Sequence, residues 1–373
     1  MKKILYWSPF LTKIATIQSV LNSATILKNE NKKLDIYIIN SVGEWEDYKE
    51  KISSNNLKLI NLLSFNLHKY LPKTGYIKSR ISLVIISIIT ILPLIYLLIK
   101  KKPDIFISHL NTMFTMILSN FFNTKFIVRI SGYPRLHFFR KFLWKNLSNK
   151  IYAVVCPTKS TKKLLSEKKI FKEEKMHMVE DPIFSLDDIE KSKKNLSNNI
   201  LAIGRLTKQK NFSFLIRCFK IIENKYPNKY NLNILGEGEE GNNLEKLISE
   251  LDLKNKVNLV GYKTNVKTYF RDSFCFILSS LWEDPGFVLI ESAINRTFIL
   301  SSDCPNGPKE FLEDNKGGIL FKSNDAEDFI KNFDLMLSLD DLNKNKIINY
   351  SIEKAKAYSF EKHYKKLFPI INL

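Results

Sequence analysis

Short apolar runs alternate with helix-spaced stretches twice along this chain, and that alternation limits its fold more than any other feature. A strand inside a parallel sheet is covered on both faces, so it reads as an unbroken hydrophobic run. In the first half such runs fall at residues 4–7, 34–40, 57–62, 105–108, 126–130 and 151–156. Helical spacing occupies 15–27, Ser131-Gly132-Tyr133-Pro134 turns the chain, and a further helix opens near Thr158 or Ser160. Between Glu180 and Asn199 the chain becomes polar and charged, which reads as a linker.

A second series then begins. Strands are expected at 200–203, 231–235, 257–260, 274–279 and 298–301, with helices at 212–224, 244–251 and 286–294. The expectation is an α/β chain of two Rossmann-like domains with parallel sheets facing an interdomain cleft, ligands meeting the carboxyl ends of the strands. The boundaries read as 1–190, 195–355 and a tail, 356–373, that returns to the first domain. A length of 373 residues, 45% hydrophobic, suffices for two such cores.

Composition removes several function classes. The four cysteines, Cys156, Cys218, Cys275 and Cys304, form no CxxC pair or Cys/His ligand spacing. Neither a zinc site, nor a disulfide framework, nor any other metal centre is expected, and a reducing, cytoplasmic setting fits. The formal charge of +20 admits nucleic acid, an anionic membrane surface or phosphate-bearing substrates as partners. No zinc finger, RNP-like aromatic pattern or basic heptad region supports nucleic acid, and a low-GC genome accounts for the Lys and Asn content as readily. The start, MKKILYWSPF, has too short an apolar part for a signal peptide and reads as a first strand ended by Ser8-Pro9.

One segment stands apart. Residues 81–99 (ISLVIISIITILPLIYLLI) carry no charge and are flanked by Lys78, Arg80, Lys100, Lys101 and Lys102. Basic flanks on both sides give no orientation for a spanning helix, and a crossing would separate strands that must pair. A helix partly buried on the sheet and partly dipped into the membrane interface is preferred, ordinary burial comes second, and spanning last.

The chemistry concentrates in the second half. GRLTKQKN follows a strand, with Gly204 at its exit and two cations, Arg205 and Lys210, that suit a diphosphate leaving group. LGEGEE supplies Gly236 and Glu237 at the next strand end; alone such a turn is weak, and with Gly241 read as one position early for a complete GxGxxG a nicotinamide-dinucleotide reading is disfavoured. Gly261 and Tyr262 end a third strand, where Tyr262 either stacks on a base or covers the core edge. The strongest feature is SSLWEDPGFVLIESA, which sets Glu283 in a loop and Glu291 in a helix. The amides of Gly286, Phe287 and Val288 at that helix start can cradle a phosphate, Glu291 can bind ribose hydroxyls and Glu283 can reach a sugar. For isolated residues, solvated surface acids and cations would be the default reading.

The order of GRLTKQKN, LGEGEE, the Val260-Gly261-Tyr262 strand end and the Glu283…Glu291 pair resembles the motifs of family 4 glycosyltransferases of the GT-B fold. SSDCPNGPKEFL is similar to a loop-helix of glycan-assembly members, and SFEKHYKKLF to their last helix. The resemblance implies a retaining, metal-independent hexosyltransferase without cofactor, using a nucleotide diphosphate sugar, UDP-linked, and carrying a hexose or N-acetylhexosamine. It implies that Arg205 and Lys210 hold the diphosphate, Glu291 the ribose, and Glu283 the donor sugar. The charge and the apolar segment point to a lipid-linked or lipopolysaccharide-type acceptor at the inner face of the cell membrane.

The first half departs from the pattern. Ser8-Pro9-Phe10-Leu11-Thr12-Lys13 replaces a glycine-rich loop, and Ser131 or Gly132 stands where a histidine is common. His109 is the remaining imidazole candidate for catalysis, against a structural role, and Arg129 is either a cation for ligand or a buried structural arginine. A nucleotide-sugar epimerase of the same plan and a non-catalytic membrane-bound partner remain as alternatives.

Overall fold

In the computed structural model, residues 2–12, 15–72, 76–130, 132, 134, 136–191 and 197–372 are described. Lys13, Ser131, Tyr133 and part of the expected linker, 192–196, lie outside them. The chain divides into two compact units: Met1–Phe184 with Tyr358–Leu373, and Ser185–Ala357.

The first unit holds a seven-stranded sheet of β1 (Lys3–Trp7), β2 (Asp35–Asn40), β3 (Lys58–Asn61), β4 (Ile105–His109), β5 (Lys125–Arg129), β6 (Ala153–Cys156) and β7 (Met176–Met178), in the order β3-β2-β1-β4-β5-β6-β7. Every pairing is parallel. Strand alternation explains the continuous apolar runs. Ile4, Tyr6, Ile36, Ile38, Ile105 and Ile107 point to one face, where the helices Ala15–Glu30 and Phe360–Asn372 pack. Leu5, Trp7, Tyr37, Ile39, Phe106 and Phe126 point to the other, covered by the helices Tyr76–Lys101, Thr112–Ser119 and Phe138–Leu147. With about 25 cal/mol gained per Å² of apolar surface buried, burial on both faces is what holds such a sheet.

The second unit repeats the plan with six strands: β8 (Asn199–Ile203), β9 (Asn231–Leu235), β10 (Val257–Gly261), β11 (Cys275–Leu278), β12 (Phe298–Ser302) and β13 (Ile319–Phe321), ordered β10-β9-β8-β11-β12-β13. One face buries Ile200, Ala202, Leu232, Ile234, Ile277 and Leu300 against the helices Phe212–Lys225, Gly241–Glu250 and Ala326–Ser338. In each sheet the order reverses once, between β1 and β4 and between β8 and β11. Connections leave in opposite directions there and open a crevice at the carboxyl ends, the place where sheets of this type take ligands. The two units therefore form an α/β chain of paired Rossmann-like parallel sheets.

The apolar segment is one helix, Tyr76–Lys101, carrying Pro93 within it. Ile86 is buried, and Leu94, Leu97 and Leu98 join the core beneath the first sheet.

Candidate functional site

The second unit gathers its chemistry at the reversal between β8 and β11. Gly204 leaves β8 beside Lys210, and a Cβ on Gly204 would lie 2.7 Å from Lys210 Cε, so glycine lets the lysine stem fold back over the strand end. Lys210 Nζ reaches Glu283 Oε1 at 2.5 Å, and Ser280 Oγ donates to the same oxygen at 2.5 Å. Both charged side chains are largely buried, at 13% and 7% exposure, so water screens the pair little. Ser279 Oγ donates to the Lys210 carbonyl at 2.8 Å, and Gln209 Nε2 donates to the Trp282 carbonyl at 2.8 Å. The loops after β8 and β11 are thus fastened to each other around the ion pair. Arg205 is exposed and, among the described residues, has no ionic partner.

The glycines of the β9 loop serve close approach. Gly236 sits at φ +141°, and a Cβ there would come within 1.9 Å of the Gly204 carbonyl oxygen. A Cβ on Gly238 would meet the Leu206 carbonyl at 2.4 Å. Backbone bonds from Gly204 N to the Leu235 carbonyl and from Leu206 N to the Glu237 carbonyl, each 2.9 Å, close the seam. Gly236, Gly238 and Gly241 do keep GxGxxG spacing, but the first two glycines follow from this loop-on-loop contact and the third opens the helix Gly241–Glu250. Gly261 also takes a left-handed φ, +78°. After it, Tyr262 is half exposed and its amide donates to Glu237 Oε1 at 3.4 Å.

The helix Phe287–Ile294 starts at Gly286, φ +86°, with no side-chain cap. Gly286 has no side chain to cap the helix, so the first amides, through Phe287 and Val288, are the groups an external anion would meet there. Glu291 lies one turn in. Part of its surface is open, yet burial of its carboxyl pushes it up to about 7, while Lys210 pulls the other way. Lys210, Glu283, Glu291 and the helix start therefore lie in one neighbourhood. Among the described residues no group of three His, Cys, Asp or Glu side chains is placed to hold a metal ion.

His109 and Arg129 belong to the first unit, at the ends of β4 and β5. His109 is buried, its Nδ1 lacks a partner among the described residues, and burial, then Arg129 and His363, hold it well below the usual histidine value. Arg129 is committed to a buried pair with Asp181, which also accepts from Ser19. Of the two readings of Arg129, the buried pair is the structural one. The network extends through residues the sequence did not single out. Tyr6 and Ser23 hydroxyls lie 3.0 Å apart, Ser23 Oγ meets His363 Nε2 at 2.8 Å, and His363 Nδ1 donates to the Glu180 carbonyl at 2.7 Å. Because a carbonyl only accepts, Nδ1 carries the proton and Nε2 accepts from Ser23. In the second unit the missed residues are Gln209, Ser279 and Ser280; the serine pair ahead of LWEDPG was the visible signal.

Comparison with known proteins bears on this geometry. Residues 186–354 match the family model for glycosyl transferases group 1. An uncharacterized glycosyltransferase of Methanocaldococcus jannaschii is 31% identical over 239 residues, covering 57% of this chain and 58% of the relative; the chain thus spans less than two-thirds of that relative's length. A Campylobacter jejuni alpha-1,4-N-acetyl-D-galactosaminyltransferase, named for a diNAcBac-PP-undecaprenol glycan, is 26% identical and covers 69% of this chain and 72% of the relative. The crystal structure of Anabaena HepE in complex with UDP superposes with a TM-score of 0.75 over 100% of both chains at 12% identity. The chain as a whole therefore has the GT-B fold, and residues 186–354, nearly the whole second unit, are similar to the glycosyl transferases group 1.

Proposed function

We propose that this protein is a retaining hexosyltransferase that moves a hexose or N-acetylhexosamine from a UDP-linked sugar to a lipid-linked or lipopolysaccharide-type glycan. The observation that carries the reading is the Lys210–Glu283 pair set beside Glu291 and an uncapped helix start at a topological switch point. That grouping offers cations and amides to a diphosphate and carboxylates to hydroxyls, as a nucleotide sugar requires. The named activity of the Campylobacter relative and the nucleotide in the HepE crystals support the donor and acceptor classes.

In the proposed reaction, Arg205, Lys210 and the amides of Gly286, Phe287 and Val288 take up the charge growing on the diphosphate as its bond to the sugar C1 breaks. The acceptor oxygen bonds to C1 on the same face, and its proton passes to the departing phosphate oxygen. Configuration is retained, and no enzyme nucleophile, metal or cofactor enters the step. Glu291 holds ribose hydroxyls, Glu283 a hydroxyl of the donor sugar, Gly204, Gly236 and Glu237 shape the phosphate side, and Tyr262 faces the base. The first unit receives the acceptor, where His109 stays neutral at pH 7 and offers a hydrogen bond. The work takes place at the inner face of the cell membrane.

Transfer to a lipid-linked acceptor, with the product anomer read by NMR, tests this. Glu283→Gln is expected to lower turnover about a hundredfold with the anomer unchanged. An unchanged rate and donor affinity would refute the role of Glu283, and sugar interconversion without acceptor would mark an epimerase.

A further inference from the structure

The helix Tyr76–Lys101 is amphipathic in the wrong direction for a protein surrounded by water. Its inward side in the first half sets three hydroxyls around Ile86: Ser82, Ser87 and Thr90 are buried, Ser82 Oγ donates to the Pro72 carbonyl at 2.8 Å, with Lys78 O at 3.1 Å, and Ser87 and Thr90 donate to the Leu83 and Ile86 carbonyls at 2.8 and 2.7 Å. Asn111 Nδ2 donates to Ser87 Oγ at 2.9 Å, tying the helix to the end of β4. The outward side is apolar, with Ile81, Val84, Ile88, Leu92, Tyr96 and Ile99 spaced along one stripe; Ile88 is 62% and Leu92 73% exposed. At 1.5 Å per residue that stripe runs about 27 Å. With these hydroxyls satisfied by backbone carbonyls of the helix and of Pro72, that side needs no water.

A second element shares the outward direction. The helix Phe138–Leu147 lies on the same sheet face, anchored by Trp144 in the core that also takes Leu94, Leu97 and Leu98. Opposite Trp144 it shows Phe138 at 87%, Phe139 at 71% and Phe142 at 59% exposure. Exposed Lys78, Lys100, Arg140 and Lys145 flank the two apolar stripes.

Charge selects the partner. The first unit carries 33 of the 58 Lys and Arg and 13 of the 38 Asp and Glu, while the second carries 25 of each, so the whole excess of +20 lies in the first. From residue 51 to 166 the only acid is Asp104. A second copy of this chain would bring the same sign to the contact, whereas an anionic lipid surface complements it.

We propose that the outward stripe of Tyr76–Lys101 and the Phe138, Phe139, Phe142 cluster enter one leaflet of an anionic bilayer together, the helix lying in the interface while flanking cations reach phosphate headgroups. Spanning is incompatible with this arrangement, because Leu94, Leu97 and Leu98 would have to leave the sheet. The inference deepens the reading of a lipid-linked acceptor and supplies the surface that brings the chain to it.

The test is vesicle flotation of the full chain without donor or acceptor. Vesicles of phosphatidylcholine with about one-third phosphatidylglycerol are expected to carry the protein at least about tenfold better than phosphatidylcholine alone. The pair Ile88→Gln with Leu92→Gln, and separately Phe138→Ser with Phe139→Ser and Phe142→Ser, should each reduce the bound fraction about tenfold. Near-UV circular dichroism and UDP calorimetry, both unchanged, report that the variants are folded. The native cysteines are all buried. A polarity-sensitive dye on Leu92→Cys should therefore report only its own site and shift to the blue on anionic vesicles. Wild-type protein that stays with the pellet, either variant floating like the wild type, or a soluble dimer undone by Ile88→Gln with Leu92→Gln would overturn the proposal. Wild-type protein that floats but gives no heat on titration with UDP would leave this surface standing and sink the UDP-sugar transferase reading.

Discussion

The two units share one plan but satisfy their charged groups to different degrees. Each has an all-parallel sheet whose order reverses once. At the strand ends of the first, buried charge is answered internally: Arg129 by Asp181, Asp181 by Ser19, and His363 by Ser23 and the Glu180 carbonyl. At the reversal in the second, Lys210 and Glu283 also answer each other, but exposed Arg205 has no ionic partner among the described residues, and Glu291 keeps a carboxyl that burial makes reluctant to ionise. The same scaffold can close its switch point with its own side chains or leave polar groups ready for something else. The contrast is the physical ground on which the nucleotide-sugar site is proposed in the second unit.

The sharpest way to break the contrast is to remove Asp181. Asp181→Ala strands a buried guanidinium and should cost about 3–5 kcal/mol in urea unfolding, while Arg129→Met with Asp181→Leu should recover much of it. Next comes acid. Burial, opposed by the Glu180 carbonyl bond, lowers His363 to about 4, from 6.5 in the unfolded chain. Its contribution is complete above pH 6.5 and is lost as pH falls through 4, about 3 kcal/mol in all. Urea midpoints at pH 7 and pH 4 measure the loss, and His363→Gln should flatten it.

Glu291 slopes the other way and less steeply. Its carboxyl is raised from 4.5 to about 7, so its contribution is complete below 4.5 and fades as pH rises through 7. Allowing for its partly open surface, the change is about 1 kcal/mol. Glu291→Gln should match the wild type at pH 4.5 and unfold at higher urea than the wild type at pH 8. Parallel pH slopes for His363 and Glu291 would erase the distinction between the units.

Much of the fold was legible because parallel strands bury both faces. The runs at 4–7, 105–108 and 231–235 lie within a residue of β1, β4 and β9, whereas β7 and β13, three residues each, are too short to carry a pattern. Lys210 and Glu283 lie 73 residues apart, and their direct pairing depends on strand order, which local periodicity does not encode. The Ser23–His363 bond spans 340 residues and left no local trace. For the apolar segment, hydrophobicity was visible, but the inward side, marked by the hydroxyls at 82, 87 and 90 together with Ile86, Leu94, Leu97 and Leu98, depended on tertiary packing.

The central claim is that the cations of the second unit bind a diphosphate. Calorimetric titration of UDP into the full chain tests it most directly. The wild type should bind, and Arg205→Ala and Lys210→Ala should each weaken binding by about tenfold or more, with the loss growing as salt is lowered. Equal affinity in all three proteins, with folding intact, would contradict the account.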